Sequence, residues 1–168
     1  SYAAGEPDFA TPQFIVDAAA AALFDPKNFR YTAAAGLPAL KEAIAAKTLR
    51  DSGLEVSPSQ IIVTNGGKQS VYQAFQAVVN PGDEVLIPDP SYPCNRQFVS
   101  AVGGVVKTIA VDGSTNFQPT AEQVRNAWSG RTKAVLVASP ANPTGTMLTE
   151  QEASALAQVA REKGGVLI

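Results

Sequence analysis

From Ile61 onward, short apolar segments that suit β-strands alternate with longer segments that have the period of helices. Such alternation is typical of βαβ units, which form a mostly parallel sheet flanked by helices. Strands are predicted at residues 61–64, 84–88, 105–111, 132–138 and 165–168. Helices are predicted between them, at residues 68–79, 92–102, 120–128 and 149–163. The chain is therefore expected to be an α/β protein.

The section before Ile61 follows a different pattern. Two helices are predicted there, at residues 12–24 and 37–50, and an irregular segment around Tyr31 joins them. This section has no strong strand pattern. We therefore interpret residues 1–50 as an N-terminal arm with part of a small domain, and residues 51–168 as a larger α/β domain.

The composition is that of a globular domain without strong charge. The chain has 168 residues, 45% of them hydrophobic, which is enough to bury a substantial core. Its formal net charge is -2 and it has no basic run, so the electrostatic signature of a nucleic-acid binder is missing. No apolar run has the length that a bilayer requires, and the first residues lack the pattern of a secretory signal. A cytoplasmic protein without nucleic-acid or membrane partners is expected.

Two residue types limit the chemistry. Histidine is absent from the sequence, which excludes Ser-His-Asp, Cys-His and His-metal sites within this chain. The single cysteine, Cys94, cannot form an internal disulfide, and no Cys/His cluster is present for zinc. The sequence also begins without Met and stops within a predicted strand, so we expect both ends to be cut from a longer protein.

The predicted strand at residues 132–138 runs directly into Ser139-Pro140-Ala141-Asn142-Pro143-Thr144-Gly145. Ligands of open α/β folds collect at the carboxyl ends of the strands, so the side-chain amide of Asn142 is a candidate ligand group. Asn-Pro and Thr-Gly are also common turn pairs. The motif by itself therefore leaves both interpretations open.

Two further loops are predicted at the same edge of the sheet. The run Asn65-Gly66-Gly67-Lys68-Gln69 precedes a helix, whose unpaired N–H groups suit a phosphate, although its spacing matches neither the dinucleotide nor the Walker motif. Tyr92 lies between two prolines, where a fixed ring can stack on a flat ligand, although a core tyrosine gives the same pattern. A phosphate site, a flat ring and an amide together fit pyridoxal phosphate.

In these motifs the chain resembles the class I/II aminotransferases, which are fold-type-I pyridoxal-phosphate enzymes. The resemblance covers nearly the whole chain, and its motifs occur in the order of the family. They are Gly5-Glu6-Pro7-Asp8-Phe9, Tyr31 with Ala35-Gly36-Leu37-Pro38-Ala39-Leu40, Thr64-Asn65-Gly66-Gly67-Lys68-Gln69, Pro81-Gly82-Asp83-Glu84-Val85, Pro90-Ser91-Tyr92-Pro93 and Pro140-Ala141-Asn142-Pro143-Thr144-Gly145. Each motif alone is weak evidence, but six in order are specific.

The resemblance implies a cofactor role for five matching residues. Asn142 would hydrogen-bond the phenolic oxygen of the pyridoxal phosphate ring, and Tyr92 would stack on the face of that ring. Gly67, Lys68 and Gln69 would offer backbone or side-chain donors to the phosphate at the start of the helix. A lysine in the first turn of a helix is, however, usually a solvated surface charge.

The resemblance also implies partners and substrates. Tyr31 would reach the phosphate of the neighbouring subunit, which implies a homodimer. Gly5 would lie near the substrate carboxylate. The substrates implied are an amino acid and a 2-oxo acid, between which the cofactor carries an amino group. Residues 51–168 would then be an incomplete cofactor-binding large domain, because the pattern of the family continues beyond Ile168.

Three functional residues of the family have no match in this sequence. They are the Schiff-base lysine, the aspartate that faces the ring nitrogen and the arginine that binds the substrate carboxylate. No lysine of this chain lies in a matching context; the lysines are Lys27, Lys41, Lys47, Lys68, Lys107, Lys133 and Lys163. We therefore assign no catalytic residue and expect the 168-residue chain alone to be inactive. It is also expected to be marginally stable, because the strand at residues 61–64 would lack its partners.

Other functions remain open at this point. A carbon–sulfur lyase or a cyclopropane-carboxylate synthase of fold type I would use the same cofactor groups. An aminotransferase-like domain that senses a ligand in a transcription regulator would carry a DNA-binding domain outside this sequence. A nucleotide-binding α/β domain would need a glycine fingerprint that Gly66-Gly67 does not supply.

Overall fold

The computed structural model describes residues 5–168. Contacts divide the chain into two compact units, one that ends at Val63 and one from Thr64 to Ile168. In the part that is described, no helix is both long and apolar enough to span a membrane.

The first unit is built from helices. Its elements are α1 (Gln13–Ala22), a 3-10 turn (Pro26–Phe29), α2 (Pro38–Ser52) and a second 3-10 turn (Pro58–Gln60). Helix α2 begins with a proline, whose missing N–H costs nothing in the first turn. It ends at Gly53, which adopts a left-handed φ of 65° and donates to the carbonyl of Leu49. Both ends of α2 therefore follow from its sequence.

The second unit is a parallel sheet with helices between its strands. Its elements are α3 (Gly67–Val78), β1 (Glu84–Asp89), α4 (Cys94–Ala101), β2 (Val105–Ala110), a 3-10 turn (Gly113–Thr115), α5 (Ala121–Ala127), β3 (Thr132–Val135), α6 (Glu150–Glu162) and β4 (Val166–Leu167). The strand order is β2-β1-β3-β4, and every neighbouring pair is parallel. This confirms the α/β fold class.

The core lies on both faces of the sheet. Along β1, the side chain of Leu86 packs in one cluster while its neighbours Val85 and Ile87 pack in the other, as the two-residue period of a strand requires. All three side chains are fully buried. A parallel strand covered on both faces is expected to be apolar throughout, which is why the sequence of β1 does not alternate with polar residues.

A buried carboxylate fixes the start of β1. Glu84 accepts hydrogen bonds from the Ser129 hydroxyl at 2.6 Å, from Arg131 at 2.7 Å and from the Thr132 hydroxyl at 3.2 Å. The ammonium nitrogen of Lys107 lies 3.8 Å from the same carboxylate. The Ser129 bond, followed by those of Arg131 and Thr132, holds the pKa of Glu84 below its usual range, against the effect of burial.

The predicted strand at residues 61–64 is wrong. Ile61 has an extended backbone, but residues 61–64 are not part of the sheet, and the side chain of Ile62 is 66% exposed. The amide of Val63 donates to the carbonyl of Ala35 at 3.0 Å, which is a single contact and not a ladder. A strand needs a neighbouring strand, and within residues 5–168 the sheet offers this segment none.

Three other strands are shorter than predicted, and of these β2 ends only one residue early, at Ala110. Strand β3 ends at Val135, although the amides of Leu136 and Val137 still donate to the carbonyls of Leu86 and Ile168 at 2.9 Å. Strand β4 covers only two residues. At its start, a Cβ on Gly165 would lie 2.7 Å from the carbonyl oxygen of Lys133 and would also clash with Trp128, so only glycine fits there.

Candidate functional site

Two of the predicted loops leave the sheet side by side. Strands β1 and β3 are parallel neighbours, so the segments that follow them emerge at the same carboxyl edge. The segment after β1 carries Tyr92, whose side chain is half-buried, and the segment after β3 carries Asn142, which is exposed. Strand topology therefore delivers an aromatic ring and an amide to one edge.

The start of α3 offers unpaired backbone donors. Gly66 precedes the helix with a left-handed φ of 82°, and no side chain caps the helix. Among residues 5–168, the backbone amides of Gly67 and Lys68 donate no hydrogen bond. A Cβ added at Gly66 or Gly67 would meet no atom within 4 Å, so the space beside these amides is open. Exposed amides at a positive helix end suit an anion such as a phosphate.

Side chains of the same turn hold its shape. The backbone N–H of Asn65 donates to the Gln69 side-chain oxygen at 2.8 Å. The Gln69 NH₂ group therefore remains available as a donor. The hydroxyls of Thr64 and Ser70 lie 2.6 Å apart and share a hydrogen bond across the start of the helix. The turn is thus fixed by its own polar groups before any ligand binds.

Lys68 links this turn to the loop after β1. Its ammonium nitrogen lies 5.6 Å from the centre of the Tyr92 ring, within the range of a cation–π contact. The hydroxyl of Tyr92, with a smaller contribution from the Cys94 thiol, raises the pKa of Lys68 above its usual range. A positive charge, a ring and two unpaired amides therefore lie close together.

Asn142 lies beside the segment that carries Tyr92. It lines a small cavity of about 20 Å³ together with Pro90, Ser91 and Asn95, which is room for one water molecule. The hydroxyl of Ser91 is buried and, in the described chain, has no hydrogen-bond partner. This segment is tied down by an ion pair of 2.9 Å between Arg96 and Asp89 at the end of β1.

The remaining two predicted site residues, Tyr31 and Gly5, belong to the first unit. The side chain of Tyr31 is fully exposed, and Gly5 is exposed as well. Their predicted roles concern a neighbouring subunit and a substrate, and both roles stay predictions.

Sequence reasoning missed one residue of this region, Gln118. Its side chain is only 3% exposed, and its amide nitrogen donates to the carbonyls of Ala138 at 3.0 Å and Thr146 at 3.1 Å. These two residues flank the loop that carries Asn142. The residues around Gln118 do not indicate that it contacts this loop, because the carbonyls that it binds belong to residues distant in the sequence.

The donors present fit the cofactor that the sequence suggested. Pyridoxal phosphate has a phosphate, a planar ring and a ring oxygen, and each needs a different kind of partner. The amides of Gly67 and Lys68 suit the phosphate, the Tyr92 ring suits the planar ring and the Asn142 amide suits the ring oxygen. The open space at Gly66 and Gly67 leaves room for a phosphate to approach the backbone.

Comparisons with known proteins identify the family of the chain. The sequence profile described as "Aminotransferase class I and II" matches residues 2–168. An aspartate aminotransferase of Streptomyces avermitilis is 48% identical over 163 residues, which cover 97% of this chain and 40% of the relative. An aspartate/prephenate aminotransferase of Thermus thermophilus is 43% identical over 165 residues, which cover 98% of this chain and 43% of the relative.

Solved structures give the same result. Aspartate aminotransferase from Thermus thermophilus with maleate superposes with a TM-score of 0.91 at 42% identity, over 98% of this chain and 43% of that chain. An aromatic aminotransferase from Pyrococcus horikoshii gives a TM-score of 0.92 at 32% identity, over 98% and 44% of the two chains. The chain thus spans less than half the length of these proteins, and it belongs to the class I and II aminotransferase family.

Proposed function

We propose that the full-length protein is a pyridoxal-phosphate-dependent aminotransferase that moves an amino group between an amino acid and a 2-oxo acid. The observation that carries this proposal is the 5.6 Å approach of Lys68 to the Tyr92 ring, beside the unpaired amides at the start of α3. It brings the candidate phosphate donors close to the candidate stacking ring, although the two belong to separate sequence motifs. Family membership supports the reaction type.

Each residue of the site would hold one part of the cofactor. The amides of Gly67 and Lys68 and the side chain of Gln69 would bind the phosphate, and the positive charge of Lys68 would balance its negative charge. Tyr92 would stack on the ring and fix its plane. Asn142 would donate to the ring oxygen. When bound, pyridoxal phosphate supplies the electron sink that transamination needs.

The other predicted roles belong to the same proposal. Tyr31 would bind the phosphate of a neighbouring subunit in a homodimer, and Gly5 would lie at the substrate carboxylate. Residues 1–50 would form an arm and part of a small domain, and residues 51–168 an incomplete cofactor-binding domain. The protein would act in the cytoplasm. Aspartate is the first amino donor to assay, because relatives are named for it.

The role of Asn142 can be tested by cofactor binding. In the full-length protein, Asn142→Ala should weaken pyridoxal phosphate binding roughly tenfold, because one hydrogen bond to a charged ring oxygen is lost. Asn126→Ala, an exposed amide in α5, is the matched control and should leave the affinity unchanged. Equal affinities for both variants, measured by absorbance titration, would contradict the assignment.

The catalytic lysine is expected to lie outside these 168 residues. The full-length protein should therefore transfer the amino group of aspartate to a 2-oxo acid, while the 168-residue chain should show no turnover. Detectable turnover by the chain that a Lys→Ala change within it abolishes would refute this part of the proposal.

A further inference from the structure

The loop that carries Asn142 is closed at its base by one buried side chain. Gln118 comes from a different part of the chain, after the 3-10 turn, and its side chain is only 3% exposed. Its amide nitrogen donates to the Ala138 carbonyl at 3.0 Å and to the Thr146 carbonyl at 3.1 Å. Ala138 immediately precedes the loop at residues 139–145 and Thr146 immediately follows it. One NH₂ group thus joins the two ends of the loop.

One of two bonds within the loop uses the same Thr146 carbonyl. The amide of Ala141 donates to the Thr146 carbonyl at 2.8 Å, and the amide of Gly145 donates to the Ala141 carbonyl at 2.7 Å. The Thr146 carbonyl therefore accepts from both Ala141 and Gln118. Ala141 is the residue directly before Asn142, so a shift of this carbonyl is passed to the Asn142 backbone.

The segment before Gln118 is held in an unfavourable conformation. Asn116 and Phe117 both have a left-handed φ of 53°, which non-glycine residues rarely adopt. The amide of Phe117 donates to the Asp112 carbonyl at 2.8 Å, and the Asn116 side chain donates to the Met147 carbonyl at 3.4 Å. Two consecutive strained residues persist only where the surroundings stabilise them. Here they present Gln118 to the loop.

We infer that Gln118 is a positioning residue, which sets the place of Asn142 at the cofactor by closing the loop at residues 139–145. The inference rests on the proposed function, because the Asn142 amide needs a fixed position only if it donates to the ring oxygen of pyridoxal phosphate. The Gln118 side chain donates to the Ala138 and Thr146 carbonyls and lies 3.5 Å from the Thr146 hydroxyl, so it acts on Asn142 through the two ends of the loop. A preorganised loop holds Asn142 where the ring oxygen needs a donor, so that binding need not order the loop.

Two readouts in the full-length protein separate this role from a merely structural one. In Gln118→Leu, amide hydrogen exchange at Ala141 and Gly145 should speed up roughly fivefold, and the affinity for pyridoxal phosphate should fall by a similar factor. Gln118→Asn keeps an amide but is too short to reach both carbonyls, so it should show the same two effects. If Gln118→Leu does not fold, the exchange rates and the cofactor affinity of Gln118→Asn test the inference.

Gln123→Leu is the matched control. Gln123 also donates through its side-chain amide to a distant carbonyl, that of Ala110 at 3.2 Å, but it does not contact the loop. Its loss should lower the melting temperature and leave both loop exchange and cofactor affinity unchanged. A merely structural Gln118 would behave in the same way as Gln123.

Asn142→Ala distinguishes the two proposals. If this variant weakens pyridoxal phosphate binding while both folded Gln118 variants bind as the parent protein does, the positioning role is overturned and the proposed function stands. If Asn142→Ala itself leaves binding unchanged, the assignment of Asn142 fails. Unchanged exchange at Ala141 and Gly145 in the Gln118 variants would overturn the loop closure whatever the cofactor result.

Discussion

Lys68 places a positive charge beside the unpaired amides of α3, and the Tyr92 hydroxyl raises the pKa of the Lys68 side chain. A raised pKa favours the charged form, so the cation is fully present below the ordinary lysine pKa and is lost only as the pH rises through the raised value. The contribution of Lys68 to phosphate binding should therefore be constant across the neutral range.

Lys68→Met tests this charge. It should weaken pyridoxal phosphate binding about threefold at low salt, because an exposed ion pair contributes little and is screened by salt. At high salt the difference from the parent protein should vanish. Lys163→Met removes an exposed lysine at the end of α6 and should have no effect at either salt concentration. An affinity loss that persists at high salt would mean that Lys68 acts by packing and not by charge.

At the level of residues, local sequence signals predicted only part of the candidate site. Asn142, Tyr92 and Gly67 each follow a strand or precede a helix, so the sequence predicted where their groups would emerge. Gln118 could not be found in this way, because its two acceptors lie 20 and 28 residues away. The contact between Lys68 and Tyr92 likewise depends on tertiary structure, although each residue was predicted separately.

At the level of elements, predictions succeeded where the signals were local. The helix predicted at residues 149–163 is α6, where Thr149 accepts from the Glu152 backbone N–H at 3.2 Å and Glu152 accepts from the Thr149 backbone N–H at 2.7 Å, a cap formed by residues three apart. The strand at residues 61–64 was predicted from its β-branched residues alone. The resemblance to the family indicated that its partners would be missing, and without a neighbouring strand an apolar segment forms no ladder, because pairing is not a local property.

The start of β1 gives an element-level prediction. Glu84→Gln should lower the free energy of unfolding by about 2 kcal/mol near pH 7, because charge-assisted bonds from Ser129 and Arg131 to a buried carboxylate are lost. The depressed pKa of Glu84 means that its contribution is fully present above the ordinary glutamate pKa. It is lost as the pH falls through the depressed value. The difference between parent and variant, measured by urea denaturation, should therefore shrink in acid.

Glu122→Gln is the control for this measurement. Glu122 lies exposed in the first turn of α5, so its replacement should change the free energy of unfolding by less than about 0.5 kcal/mol. If Glu84→Gln and Glu122→Gln give the same small change at both pH values, the Glu84 cluster does not stabilise β1.

At the level of the whole molecule, the two units differ in how they bury apolar side chains. The second unit encloses two apolar clusters around its sheet. Large apolar side chains of the first unit are instead exposed; they include Phe9 at 87%, Phe14 at 74%, Phe24 at 87% and Phe29 at 67%. Several exposed aromatic rings in one small unit are typical of a surface that other protein covers.

This exposure predicts that the purified 168-residue chain associates with itself. Its weight-average mass in sedimentation equilibrium should rise with concentration, because burying these rings against another copy removes apolar surface from water. Replacing Phe14 and Phe24 together with serine should shift the chain towards a single copy, since Phe14 lies exposed in the first turn of α1 and Phe24 lies exposed just after its end. Leu54→Ser, at a residue 57% exposed beyond α2, is the control and should leave the association nearly unchanged. A mass that equals one copy at every concentration would show that the exposed rings do not drive association, and would remove this support for a homodimer.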